Sequence, residues 1–122
     1  MSSGYHESGI SERAKNIHRA LASLQEELEA IDWYQQRADA AEDQELRDIL
    51  VHNQNEEIEH AGMLLEYLRR HEPQFDEKLR TYLFTEKPIT AIEEDAESEG
   101  DADAAEKADN SADKSLGIGS LR

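Results

Sequence analysis

An all-α fold follows from three features of this 122-residue sequence. No stretch of useful length alternates apolar and polar residues, so nothing competes for a strand. Long segments run free of Gly and Pro, with apolar residues at steps of three and four, the period of one helical face. A short polar link joins the two longest of them, which gives an antiparallel two-helix hairpin.

Each element has its own signals. Residues 1–10 read as a flexible N-terminus. Ser11 is a plausible N-cap, and Glu12 to Arg37 contains neither Gly nor Pro. Within it Ile17, Leu21, Leu24, Leu28, Ile31 and Ala38 mark one face of a first helix. Asp39 to Asp43 forms the link, with Asp43 able to cap the next helix. The second helix runs to about His71, with a stripe of Leu46, Ile49, Leu50, Asn53, Glu57, His60, Leu64, Tyr67 and Leu68. Pro73 stops it, because proline lacks the N–H that a continuing helix needs. A short third helix starts at Pro73, carries Phe75, Leu79, Tyr82 and Leu83, and breaks at Lys87-Pro88. The expected folded part is therefore residues 11–92. From Glu93 to Arg122 there are ten acids, three bases and no aromatic residue. Little apolar surface is available there to offset the entropy of ordering, so 93–114 reads as a flexible acidic linker and the whole tail as disordered.

Composition narrows function. With 29 acidic against 13 basic residues, the net charge of −16 argues against nucleic acid and anionic membrane surfaces as partners. No apolar run reaches the roughly 20 residues that cross a bilayer, and the N-terminus has no signal-peptide pattern, so a cytoplasmic protein is expected. Cysteine is absent. Any metal must be held by carboxylate and imidazole, which favours hard or borderline ions.

The telling anomaly lies in the second helix, where Asn53, Glu57 and His60 occupy the apolar stripe. A carboxylate placed there without a compensating cation costs several kcal/mol. Glu57 and His60 form a Glu-x-x-His step, whose three-residue spacing brings both side chains to one face. Glu27 interrupts the first helix's stripe in the same way, at a comparable distance from the turn, so antiparallel helices bring it level with His60. The dinuclear carboxylate bundles use one Glu from each of two helices and one Glu-x-x-His from each of two more. This chain carries half that set. The reading is a homodimer completing a four-helix bundle, with the metal site between chains; four carboxylates then balance two Fe(II) ions. The competing reading leaves the acids solvated and gives His60 one satisfied hydrogen bond. Tyr34, one heptad beyond Glu27, is placed to hydrogen-bond or be oxidised near the metal. Trp33 reads as packing or as lining of the approach. His52 and Asn53 are candidates to orient the carboxylates, while His6, His18 and His71 read as surface residues.

Three segments carry a resemblance: 25–34 (QEELEAIDWY), His52-Asn53 with 56–61 (EEIEHA), and 80–86 (RTYLFTE). In order and spacing from about Ile17 to Ile92, and again in the last residues, the chain closely resembles the encapsulated ferritins, a ferritin-like family of short helical-hairpin proteins. The resemblance implies a ferroxidase with an inter-subunit di-iron centre held by Glu27, Glu57 and His60, Glu57 bridging the irons, and Tyr34 counted with the catalytic residues. It implies that Glu26 and Glu29 draw metal toward the centre, with calcium a further candidate there or at interfaces. It also implies a ring of five dimers that stores no mineral itself and is carried as cargo inside an encapsulin shell, in the cytoplasm. Residues 115–122 (SLGIGSLR) then resemble a cargo-loading peptide, Leu116, Ile118 and Leu121 filling shallow pockets of the shell protein while the glycines let the backbone approach. The rival functions are a dinuclear peroxidase of rubrerythrin type and a non-catalytic metal-binding assembly module.

Overall fold

The computed structural model describes residues 4–109, with side chains described through residue 100. Four helices make up the described chain: α1 (Glu12–Ala40), α2 (Gln44–His71), α3 (Pro73–Tyr82) and α4 (Ile89–Asp109). They fall into two compact units that divide after Phe75.

In the first unit, α1 and α2 form the antiparallel hairpin, each about 40 Å long at about 1.5 Å per residue. Both helices start where a side chain replaces a missing backbone partner. Ser11 Oγ accepts the Ala14 N–H at 3.1 Å, and Asp43 Oδ2 accepts the Leu46 N–H at 2.9 Å. α1 runs to Ala40, slightly beyond the expected Arg37, and leaves Ala41-Glu42-Asp43 as the link. At the open end of the hairpin, Arg13 donates to the His71 carbonyl at 2.9 Å and to Glu72 Oε1 at 2.8 Å. Toward the link, Gln54 donates to the Ile31 carbonyl at 3.3 Å and to Gln35 Oε1 at 2.8 Å. These cross-bonds hold the register in which Glu27 meets His60.

The seam between the helices is built from small residues. Ala20, Ala38 and Ala61 are buried with Leu68, the one side chain below 2% exposure among the described residues. Alanines let the helices approach closely, but two helices cannot enclose a stripe broader than their seam. Leu28, Leu46, Ile49 and Ile58 consequently stay about half exposed. The N-terminal segment is not wholly detached: the Tyr5 ring lies 4.8 Å from that of His18. At the other end, His71 stacks on Tyr67 with ring centres 4.0 Å apart.

In the second unit, Asp76 and Arg80 pair at 2.8 Å across one turn of α3. Past the end of α3, the Leu83 N–H reaches the Leu79 carbonyl at 2.8 Å, and Phe84 takes the left-handed conformation at φ 62°, fully exposed. Pro88 accepts the N–H groups that open α4, and Lys87 pairs with Asp95 at 2.9 Å. Ile92 is buried.

α4 runs through Asp109, so residues 93–109 of the expected acidic linker are helical. The linker reading rested on the lack of apolar surface to bury, which bears on tertiary packing. Local helix formation depends instead on propensity, and this segment is rich in Ala and Glu, two good helix formers, with no Pro. Residues 110–114 of the expected linker, and the candidate peptide with Leu116, Ile118 and Leu121, lie outside the described residues.

Candidate metal centre

The hairpin places Glu27 one heptad beyond buried Ala20 on α1, and Glu57 one turn before buried Ala61 on α2. At about 100° per residue, both carboxylates sit at the edge of the seam rather than in it, and His60 projects on the same side. One ligating atom from each of the three lies within 4.8 Å of the other two. His60 Nδ1 is 3.1 Å from Glu57 Oε1 and 3.4 Å from Glu27 Oε1. Among the described residues this is the one cluster of His and acidic groups with metal-binding spacing.

The three groups form a polar cluster with too few hydrogen-bond donors. Glu27 Oε1 is buried and accepts no hydrogen bond, an orphaned oxygen that faces the cluster. A buried acceptor without a donor is costly, and a cation at this point supplies what the protein does not. The titration behaviour agrees. The hydrogen-bonded Glu57 carboxyl opposite raises the pKa of Glu27, helped by burial and the Glu57 charge, while His60 opposes the rise. Glu57, hydrogen-bonded to Glu27 and His60, is lowered, and His60 is raised mainly by its bond to Glu57. Each shift is in the direction that eases the repulsion between the two carboxylates. A metal ion does this more strongly. The donors, two hard oxygens and one imidazole nitrogen without sulfur, suit iron, manganese or zinc better than soft ions.

The site is open. His60 keeps 43% of its side chain exposed, against 24% and 25% for the two glutamates. Three ligands from one chain also fall short of the usual set of four to six, so the open side is where further ligands have room.

The other candidate residues distribute around this cluster. Tyr34 is half-buried on the ligand side of α1, and the Arg37 guanidinium lies 5.6 Å from its ring and 5.9 Å from that of Trp33. Trp33 is itself 48% exposed and turns outward. Asn53 is half-buried on the ligand side, one turn before Glu57. His52 is exposed and lies roughly 140° around α2 from Glu57, so the structure does not bring it to the carboxylates. Glu26 and Glu29 are exposed on the outer surface of α1. Two residues escaped the sequence reading. Gln54 ties α2 to α1 one turn from Glu57, and Arg37 sits over Tyr34 and Trp33. The spacing of Gln54, seven before Ala61 and therefore on the seam, was a usable signal for an interhelical bond; the Arg37 contact had none.

A two-helix hairpin that gathers two carboxylates and an imidazole on an open face defines a ferritin-like helical protein with a candidate metal site. Residues 4–86 match the EncFtn-like family model, and the chain belongs to that family. It is 57% identical over 115 residues to the encapsulated ferritin-like protein of Rhodospirillum rubrum, covering 93% of this chain and 82% of that protein. Against the ferritin-like protein of Thermotoga maritima it is 55% identical over 97 residues, 78% and 85% of the respective chains. Against the encapsulin nanocompartment cargo protein EncC of Myxococcus xanthus the identity is 33% over 103 residues, 82% and 79%. Among solved structures, protein ne0167 from Nitrosomonas europaea superposes with a TM-score of 0.68 at 55% identity, covering 70% of this chain and 97% of that one.

Proposed function

We propose that this protein is a ferroxidase that takes Fe(II) as substrate at a centre completed by two copies of the chain. The observation that carries this reading is the Glu27, Glu57 and His60 cluster, with an orphaned buried oxygen at its heart and an open side; on our reading a second copy adds its own three ligands there. Across such an interface four carboxylates meet two Fe(II) ions and charge is balanced. Two Fe(II) ions each give up one electron, and dioxygen takes the pair with two protons to leave hydrogen peroxide and two Fe(III). Hard carboxylate oxygens favour the ferric product. By the family resemblance, Glu57 would bridge the irons and His60 would add a nitrogen ligand. Tyr34 lines the ligand side, next to a guanidinium. Glu26 and Glu29 concentrate cations, iron and calcium among them, on the outer face of α1.

The shell partner is part of the same proposal. One relative is named as an encapsulin cargo and another as encapsulated. By likeness to them, Leu116, Ile118 and Leu121 dock on an encapsulin shell protein within the cytoplasm, and a ring of five dimers delivers Fe(III) to its interior for storage. Among the described residues no helix is long and apolar enough to cross a membrane.

Stopped-flow absorbance of ferric product, with Fe(II) mixed into aerated protein, tests the activity. Glu57→Ala and His60→Ala should each abolish the fast phase, while Glu26→Ala should change only its rate. An unaltered Glu57→Ala trace would sink the assignment.

A further inference from the structure

Arg37 differs from the other arginines among the described residues. Arg13, Arg19, Arg69, Arg70 and Arg80 pair with carboxylates, and Arg47 donates to the Ala41 carbonyl. Arg37 takes neither kind of partner within the described residues, although the chain carries a net charge of −16. Its guanidinium lies instead 5.6 Å from the centre of the Tyr34 ring and 5.9 Å from that of Trp33, both within cation–π range. The two rings face different ways. Tyr34 is half-buried on the ligand side, about 10 Å along α1 from Glu27, and Trp33 is 48% exposed and turns outward. One cation thus covers two readily oxidised side chains beside the metal cluster. Attraction of metal does not explain it, because a guanidinium repels Fe(II).

We infer that Arg37 holds Trp33 and Tyr34 in their reduced state, so that the electrons passed to dioxygen come from iron and not from the rings. A guanidinium is drawn to the π electrons of an aromatic face. Removing one of those electrons leaves a positive charge on the ring at the same distance, and attraction turns into repulsion. Two like charges 5.6 Å apart shift an equilibrium by on the order of tenfold when the effective dielectric lies between that of a protein surface and that of water. Both rings therefore become harder to oxidise while Arg37 stays where it is.

This inference rests on the proposed function in one respect, that iron oxidation leaves hydrogen peroxide near the rings. Two rings that lose one electron and one proton each convert one hydrogen peroxide into two waters and are left as radicals. That loss is what Arg37 resists. Trp33 and Tyr34 are adjacent in sequence and share the same cation, so a single charge guards the pair.

Hexachloroiridate(IV), a one-electron oxidant, tests the idea on the metal-free full chain. Each ring electron reduces one iridium(IV) to iridium(III), and the ring's proton passes to water. Trp33 is the chain's one tryptophan, so loss of its fluorescence reports its oxidation, and peptide mass spectrometry compares Tyr34 with Tyr67 and Tyr82. Arg37→Gln should speed the oxidation of Trp33 and Tyr34 at least about threefold and leave Tyr67 and Tyr82 as in wild type. Arg37→Lys, which keeps the charge, should fall closer to wild type than to Arg37→Gln. The oxidant is an anion, so losing a positive charge would by itself slow its approach, and a faster reaction is not steering. Equal rates in wild type and Arg37→Gln would overturn the inference. Should Arg37→Gln lose its helical circular dichroism, Arg37→Ala decides in its place. With Fe(II) and air in place of the iridium oxidant, Arg37→Gln should again lose more Trp33 per iron oxidised, and equal loss there would overturn the protective role as well. A wild type that oxidises no iron would remove the ferroxidase reading alone and leave the iridium result standing.

Discussion

Replacing Glu27 by Gln should make the metal-free protein more stable near neutral pH while removing its iron oxidation. The ligating atoms of Glu27, Glu57 and His60 lie within 4.8 Å of one another. Two unit charges at that spacing repel by about 3.5 kcal/mol at an effective dielectric of about 20. Solvent access to the site and the facing His60 reduce this, so the expected gain for Glu27→Gln is on the order of 1 kcal/mol. The amide keeps the size of the side chain and can donate to Glu57. The sign follows from linkage. Glu27 is raised above its ordinary value, so its stabilising contribution is fully present below about pH 4.5 and is lost as pH rises through its folded value. His60, also raised, contributes below about pH 6.5 and loses its charge as pH rises through its own folded value, which leaves the two carboxylates less shielded. The gain should therefore be larger at pH 8 than at pH 6. Urea unfolding followed by circular dichroism, on chelator-treated protein, measures it. With Fe(II) the order reverses, and the oxidation rate should fall at least about 100-fold, beyond what loss of a supporting partner costs. A destabilised variant, or one that oxidises iron at the normal rate, would refute the reasoning.

Leu68→Ala should cost about 2–5 kcal/mol in thermal or urea unfolding, because this fully buried side chain leaves a cavity in a seam otherwise made of alanines. Phe84→Gly should raise stability by about 1 kcal/mol or leave it unchanged, since the residue holds φ 62° with its ring wholly in solvent and gives up no packing. Glu66 is held at about 2 by Arg69 and Arg70; its contribution is present above about pH 4.5 and is lost as pH falls toward 2, so Glu66→Gln should flatten acid unfolding in that window and be less stable than wild type at pH 7.

Much of the hairpin was legible because its signals are local. Ser11, Asp43 and Pro73 each act through the backbone within one turn, and they place the helix boundaries close to where they fall. The metal cluster was legible for a different reason: Glu27, Glu57 and His60 violate the apolar stripe, and an antiparallel turn maps one violation onto the other. His52 misled because closeness in sequence to Glu57 says nothing about the face, which at 140° is wrong. After Ile92 the poverty in apolar residues reports how little surface there is to bury and says nothing of local helix, which Ala and Glu support through Asp109.

By itself the sequence determined the helix starts at Ser11, Asp43 and Pro73, the antiparallel pairing and the three side chains of the candidate metal cluster, since each depends on backbone chemistry or on a period of 3.6 residues. Only the tertiary structure decided which carboxylate carries the raised pKa and that Glu27 Oε1 is left without a donor. Those properties arise from distances of a few ångström across the seam. Side-chain contacts between helices set such distances, and the spacing of residues along one chain does not.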